Sequence, residues 1–272
     1  MSDDTKALES FIHELADASG AAIMPHFRTQ LAVDDKRSRG QFDPVTEGDR
    51  AGERAIRDLI EARFPTHSIT GEEFGVSNGT SPISWIIDPI DGTRAFMTGL
   101  PTWGTLIGAM DDGVPVVGVM DQPYTGERFV GGPSGATCIT RAGSARMSCR
   151  PCASLDDAVL AATDPRMFAQ SPEAGIFQRL ADSIKLLRYG GDCYNYAMVA
   201  LGQLDLVVEA FNQSYDILPL VPVIEAAGGI VTDWAGRPLR GGDAFARSGG
   251  KMIAAGDARV HEAAVAILRA AA

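Results

Sequence analysis

The spacing of apolar residues predicts a chain that opens on helices, turns to strands and then alternates between the two. Over residues 4–28, Leu8, Phe11, Ile12, Leu15, Ala22, Ile23 and Phe27 follow the i, i+3, i+4 rhythm of an amphipathic helix, and Pro25 should kink or end it. Residues 29–44 are polar, with Asp34-Asp35-Lys36-Arg37-Ser38-Arg39-Gly40 at their centre, and read as a loop. A second helix is expected at 47–63, burying Ala55, Ile56, Leu59 and Ile60, with Thr46 and Asp49 at N-cap spacing. Two short strands then run into acidic residues: Ser68-Ile69-Thr70 into Gly71-Glu72-Glu73, and Ser84-Trp85-Ile86-Ile87 into Asp88. Strands near 103–110, 114–120 and 127–131 are separated by Asp111-Asp112-Gly113 and Gln122-Pro123-Tyr124-Thr125-Gly126, the spacing of antiparallel hairpins.

After about residue 140 the elements alternate. Strands are expected near 158–163, 184–188, 204–209, 230–233 and 251–255, and helices near 172–182, 193–202, 216–227 and 257–271. Gly228-Gly229 is a natural stop for the third of these helices. The alternation predicts a mixed α/β fold. With no repeat or long linker, the chain divides into an α+β half over residues 1–140, carrying an antiparallel sheet, and an α/β half over 141–272, the two sharing one cleft.

Composition narrows the function. Hydrophobic residues at 45% and charged residues at 22% let 272 residues bury a large core without disulfides, so disorder and fibrous structures are excluded. The balance of 24 basic against 35 acidic side chains, a net charge of −11, disfavours nucleic acid as a partner. A small phosphorylated ligand remains compatible, provided something cationic such as a metal receives it. No apolar run is long enough to span a membrane, and the acidic Met1-Ser2-Asp3-Asp4 start lacks a signal-peptide layout. Four irregularly spaced cysteines, Cys138, Cys149, Cys152 and Cys193, are no disulfide framework, so a reduced cytoplasmic setting is expected.

The strongest chemical signal is Trp85-Ile86-Ile87-Asp88-Pro89-Ile90-Asp91-Gly92-Thr93. A buried strand delivers two carboxylates into a turn shaped by Pro89 and Gly92, and two such charges repel unless a cation lies between them. Oxygen ligands suit Mg²⁺ better than Zn²⁺. Glu72 and Glu73, also just past a strand, can extend such a site or form a solvated turn. Asp216 stands where a helix begins, as a cap, a ligand or both. Gly190-Gly191 lets backbone amides approach a ligand, and Asp192 is either the N-cap of the next helix or a cleft carboxylate. Cys149-Arg150-Pro151-Cys152 has no matching pair, the four histidines form no zinc-type set, and neither a P-loop, a dinucleotide fingerprint nor a G-x-S-x-G elbow occurs.

Gly71-Glu72-Glu73, the Asp88–Thr93 block, Gly190-Gly191, Glu209, Asp216 and Glu225-Ala226-Ala227-Gly228-Gly229, in that order, resemble the inositol-monophosphatase-like family of Mg²⁺-dependent phosphatases. Within it the chain is most similar to bacterial-type histidinol-phosphatases, through Arg94-Ala95-Phe96, Gly99–Gly108, Gly190–Tyr194 and Thr232–Leu239. Ala95 and Tyr215 stand where inositol phosphatases usually carry Asn and Trp.

The resemblance implies a layered αβαβα sandwich of the inositol monophosphatase/sugar phosphatase type. It implies that Glu72, Asp88 and the Ile90 carbonyl hold one Mg²⁺ and that Asp88, Asp91 and Asp216 hold a second, with a third near Glu72 and Mn²⁺ as a substitute. Gly92 and Thr93 would contact phosphate, Asp49 would help Thr93 orient the attacking water, and Lys36 would match a basic loop residue. Paired metals suit in-line displacement at a phosphate ester. Gly191, Asp192 and Glu209 fall in the substrate-facing segments, where Asp192 and Glu209 would complement the cationic part of L-histidinol phosphate. A homodimer is expected from the family. Two competing readings are a phosphatase for inositol 1-phosphate or another small ester, and a protein-binding regulatory module. An aspartyl-phosphate mechanism is disfavoured, because two residues rather than one separate Asp88 and Asp91.

Overall fold

A computed structural model describes residues 3–29, 33–35, 44–168 and 173–271. The first helix, α1 (Asp3–Ile23), stops short of Pro25, which falls in a turn of 3₁₀ helix. Part of the expected 29–44 loop is a ribbon instead. β1 (Val33–Asp35) pairs antiparallel with β2 (Pro44–Thr46). Val-Asp-Asp has no apolar alternation to reveal a strand. Helix α2 (Glu47–Arg63) has the expected bounds, and its capping box pairs Thr46 with Asp49.

Strands β3 (Ser68–Gly71), β4 (Gly75–Ser77) and β5 (Ile83–Asp91) follow, then the short helix α3 (Thr93–Met97). The hairpin strands are β6 (Gly104–Asp111), β7 (Val114–Gln122) and β8 (Glu127–Gly132), extended by β9 (Gly135–Thr140) and β10 (Gly143–Arg146), which the sequence pattern did not separate from loop. Together they form an eight-stranded sheet in the order β10-β9-β8-β7-β6-β5-β3-β4, antiparallel except between β3 and β5.

The rest of the chain supplies β11 (Val159–Ala162), α4 (Glu173–Ala181), β12 (Leu186–Tyr189), α5 (Cys193–Ala200) and β13 (Leu206–Glu209). Helices α6 (Ser214–Ile217) and α7 (Leu220–Glu225) replace the single helix expected at 216–227. The break falls at Pro219, which has no N–H to continue a helical ladder. Strand β14 (Ile230–Asp233), helix α8 (Asp243–Ala246), strand β15 (Met252–Ala255) and helix α9 (Ala258–Leu268) complete the chain. The second sheet is mixed, in the order β12-β11-β13-β15-β14.

Five layers result. Helices α1 and α2 cover one face of the large sheet, burying Phe11, Ile12, Leu15, Ile56 and Ile60 against Trp85, Ile87 and Ile107. Helices α5 and α7 lie between the sheets, and α4 and α9 cover the far face of the small one. Strand β5 is therefore buried on both faces: Trp85 and Ile87 point to α1 and α2, and Ile86 points to the middle layer. Period-two alternation puts Asp88 on the side of Ile86, facing the middle helices. This αβαβα arrangement matches the expected fold.

Candidate active site

The acidic residues meet because two parallel strands end together. Gly71 pairs with Ile87, and the Glu72 amide donates to the Ile87 carbonyl at 3.2 Å, so Glu72 leaves β3 beside Asp88. Beyond Asp88 the β5–β6 register shifts. Asp88 Oδ1 accepts the Ile90 amide at 3.0 Å, and the Thr93 hydroxyl donates to the Ile90 carbonyl at 3.2 Å. Those bonds fold the Asp88–Thr93 turn so that Asp91 points back toward Asp88. Gly92, at φ +83°, lets the chain reverse into α3.

Helices supply the remaining carboxylates. Asp49 Oδ2 accepts the Thr46 amide at 2.7 Å and the Thr46 hydroxyl at 2.5 Å, holding it at the N-terminus of α2. Asp216 Oδ2 accepts the Gln213 amide at 2.7 Å at the start of α6. At both positions the capping carboxylate also belongs to an acidic group. Asp88, Asp91 and Asp216 each place an oxygen within 4.8 Å of the others, and Asp49, Glu72 and Glu73 form a second such group.

A cavity of about 1320 Å³ opens beside Asp91 and Asp216. Asp91, Gly92, Thr93 and Asp216 line it, together with the wall carboxylates Asp192 and Glu209. The two wall carboxylates differ. Glu209, at the end of β13, accepts from the Thr163 amide (2.9 Å), the Thr163 hydroxyl (2.6 Å) and the Tyr196 hydroxyl (2.8 Å). Asp192 precedes α5 but makes no side-chain cap. The Tyr194 and Asn195 amides, which a cap would receive, bond to the Gly191 and Asp192 carbonyls instead, and Asp91 accepts the Cys193 amide at 2.6 Å. Asp192 holds φ +45°, an uncommon conformation for a residue with a side chain, and its carboxylate lies over Gly92, where a Cβ would come within 3.2 Å. Gly191, at φ +126°, lies against Asn195, and the Gly190 amide is bonded to Ala162 and Thr163 carbonyls. Lys36 lies outside the described residues.

Several participants had no signal in the sequence. Thr163 and Tyr196 come from separate segments and converge on Glu209, while Arg94 reaches within 3.6 Å of Asp164 at the cavity rim.

Burial and mutual repulsion load these carboxyls with protons. Burial first, then the charges of Glu72, Asp91 and Asp216, push Asp88 well above the usual carboxylate range. Burial and then Asp216 push Asp91 up to about 7. Burial dominates at Asp216, pushed up to about 8, and at Asp192, also about 8, where Asp91 and Glu209 add to it. Such an all-oxygen set fits a hard divalent cation of the Mg²⁺ type, which replaces the protons and removes the repulsion.

A pH effect on stability follows. Without metal, the folded protein holds protons that the unfolded chain releases between about pH 4 and about pH 8, so this group's contribution is full at low pH and lost as pH rises through the folded values. In chelator, Tm is expected to fall by about 5 °C or more between about pH 5.5 and about pH 8.5. Millimolar Mg²⁺ should restore it, with the larger rise at the higher pH. Scanning calorimetry measures both; a metal-free Tm that rises over this interval contradicts the account.

The model of the inositol monophosphatase family matches residues 4–271. The chain is 38% identical over 255 residues to the Arabidopsis thaliana protein named bifunctional phosphatase IMPL2, chloroplastic, covering 92% of this chain and 72% of that one. It is 35% identical over 245 residues to a histidinol-phosphatase of Streptomyces coelicolor, covering 87% and 91% of the two chains. A solved structure of an inositol monophosphatase from Zymomonas mobilis superposes with a TM-score of 0.85 at 37% identity, over 99% of this chain and all of that one. No helix among the described residues is long and apolar enough to cross a membrane.

Proposed function

This chain belongs to the inositol monophosphatase family and is a phosphatase of that family, and on that premise we propose that it hydrolyses L-histidinol phosphate to L-histidinol and phosphate with Mg²⁺. The observation that carries the substrate reading is Asp192: a cavity-wall carboxylate beside Gly92 that makes no side-chain cap to its helix. A neutral sugar phosphate offers such a carboxyl only hydroxyls, whereas the ammonium of histidinol phosphate offers an opposite charge that also favours its ionised form. Glu209 lines the same cavity as a second carboxyl, held by Thr163 and Tyr196. Ala95 and Tyr215, and the similarity to the Streptomyces coelicolor histidinol-phosphatase, support the same reading.

In this reading Glu72, Asp88 and the Ile90 carbonyl hold one metal, and Asp88, Asp91 and Asp216 hold a second. Bound Mg²⁺ would neutralise the phosphate and favour ionisation of the attacking water. The chain's own residues do the rest. Gly92 and Thr93 present backbone amides and a hydroxyl to the phosphate. Asp49 and Glu72 lie close enough for one water to donate to both, which orients it with Thr93 for in-line attack. Asp192 and Glu209 seat the leaving group.

The test is Mg²⁺-dependent phosphate release from L-histidinol phosphate, beside inositol 1-phosphate and fructose 1,6-bisphosphate. A preference for histidinol phosphate by kcat/KM is expected; a preference for inositol 1-phosphate would favour the activity in the name of the Zymomonas mobilis relative. Metal-loaded, folded protein without turnover on any ester would favour a binding module. Asp192→Asn is expected to raise KM for histidinol phosphate ~10-fold and to change KM for inositol 1-phosphate less than ~2-fold. Equal effects on both would remove Asp192 from cation recognition.

A further inference from the structure

Helix α2 carries a stripe at i, i+4 and i+8: Asp49, Glu53 and Arg57. Asp49 belongs to the acidic group with Glu72 and Glu73. The other two are buried and face the β3–β4 turn, with Glu53 fully enclosed and Arg57 only 7% exposed. Glu53 Oε1 accepts Arg57 Nε at 2.7 Å and the Phe74 amide at 3.2 Å, and Oε2 accepts the Glu73 amide at 2.7 Å. Arg57 continues the clamp, donating to Ser77 Oγ at 2.9 Å and to the Gly75 carbonyl. Gly71 makes room for it, because a Cβ there would lie 1.9 Å from Glu53 Oε1.

Besides its pairing in the β3–β4 ladder, the turn is held to α2 by this clamp and by the Arg54 guanidinium, 5.3 Å over the Phe74 ring. Strand β4 is a three-residue edge strand, and Phe74 and Val76 are exposed, so apolar burial contributes little. A buried ion pair is a poor source of stability by itself, since desolvation offsets its attraction. This one is matched at each end to backbone groups of the segment that carries Glu72 and Glu73.

We infer that Glu53 and Arg57 are positioning residues, which fix the β3–β4 turn so that Glu72 presents its carboxylate to the metal beside Asp88. The inference rests on the metal-binding reading given above. Neither residue lines the cavity. Their effect is on metal affinity, and partners behind metal ligands commonly affect it 10–100-fold.

The double variant Glu53→Gln/Arg57→Met removes both charges together and leaves neither buried alone. Mn²⁺ binding, followed by electron paramagnetic resonance without substrate, is expected to weaken at least ~10-fold. Tm in chelator should stay within about 5 °C of the parent. A role confined to stability would lower Tm and leave Mn²⁺ affinity unchanged, and that result overturns the inference. Glu53→Asp provides the answer where the double variant does not fold. It keeps the Arg57 charge paired but shortens the reach to the Glu73 and Phe74 amides, and it too is expected to weaken Mn²⁺ binding; parental affinity in a folded Glu53→Asp protein overturns the inference. Asp88→Asn serves as the reference. If the parent binds no Mn²⁺, the metal-dependent function fails and this inference with it. If the parent binds, Asp88→Asn does not and the Glu53 variants bind like the parent, only the inference fails.

Discussion

Asp88→Asn is expected to lower kcat/KM by about a thousandfold or more, roughly 4 kcal/mol of barrier, while making the metal-free protein more heat-stable at about pH 8. The two effects share one cause. Asp88 is the carboxylate that faces both Glu72 and the pair Asp91 and Asp216, so both proposed metal positions lose a ligand when it goes. Without metal the same carboxylate is a liability, since burial and three neighbouring acids oppose its charge. Asparagine is neutral, nearly isosteric, and keeps an oxygen for the Ile90 amide that Asp88 accepts at 3.0 Å. Turnover beside Tm in chelator measures the pair of effects. Turnover within tenfold of the parent would remove Asp88 from the metal site, and a lower metal-free Tm would contradict the electrostatic account.

Gly118→Ala is expected to have the largest effect on stability. Gly118 and Gly131 pair across β7 and β8 beneath the α6–α7 segment. A Cβ at Gly118 would lie 1.8 Å from the Pro219 carbonyl oxygen, and one at Gly131 would lie 2.3 Å from that of Pro222. Both obstacles are backbone, so no side-chain rotation relieves them. The helical segment must lift, at about 3 kcal/mol or more, lowering Tm by roughly 6–10 °C. Asp216 precedes Pro219 by one helical turn, so weaker Mg²⁺ binding should accompany the loss. Gly175→Ala provides the contrast: this helical glycine is exposed, its Cβ would meet nothing within 4 Å, and alanine should be neutral or slightly stabilising. Thermal denaturation of both variants decides it. A Gly118→Ala protein within about 2 °C of the parent would show that the helix does not sit directly on the sheet.

Much of the site was legible in short stretches. The Thr46–Asp49 capping box, the acidic turn after Trp85-Ile86-Ile87 and the Gly-Glu-Glu after β3 rest on contacts within a few residues, and local composition encodes those. Features without a local signature escaped it. The β1–β2 ribbon lacks apolar alternation, β9 and β10 pass for loop, and Pro219 splits what periodicity reads as one helix.

Asp91, Asp192 and Cys193 mark the boundary between the two kinds of information. Asp192 stands next to α5 in the chain, so local spacing offered it as the cap. The Tyr194 and Asn195 amides bond to backbone carbonyls instead, Asp91, 102 residues distant, accepts the Cys193 amide, and Asp192 is left to the cavity. Glu53 shows the same limit, reading as one more charge on a helix until Glu73, Phe74 and Arg57 close around it. Hydrophobic period and capping chemistry act over one or two turns of chain, and so most helices and strands, the carboxylates at their ends and the family resemblance could be read from local sequence. Which carboxylates come within reach of one another, which are committed to hydrogen bonds and which face the cavity follows instead from how five layers pack and from the backbone amides that packing places beside each acid.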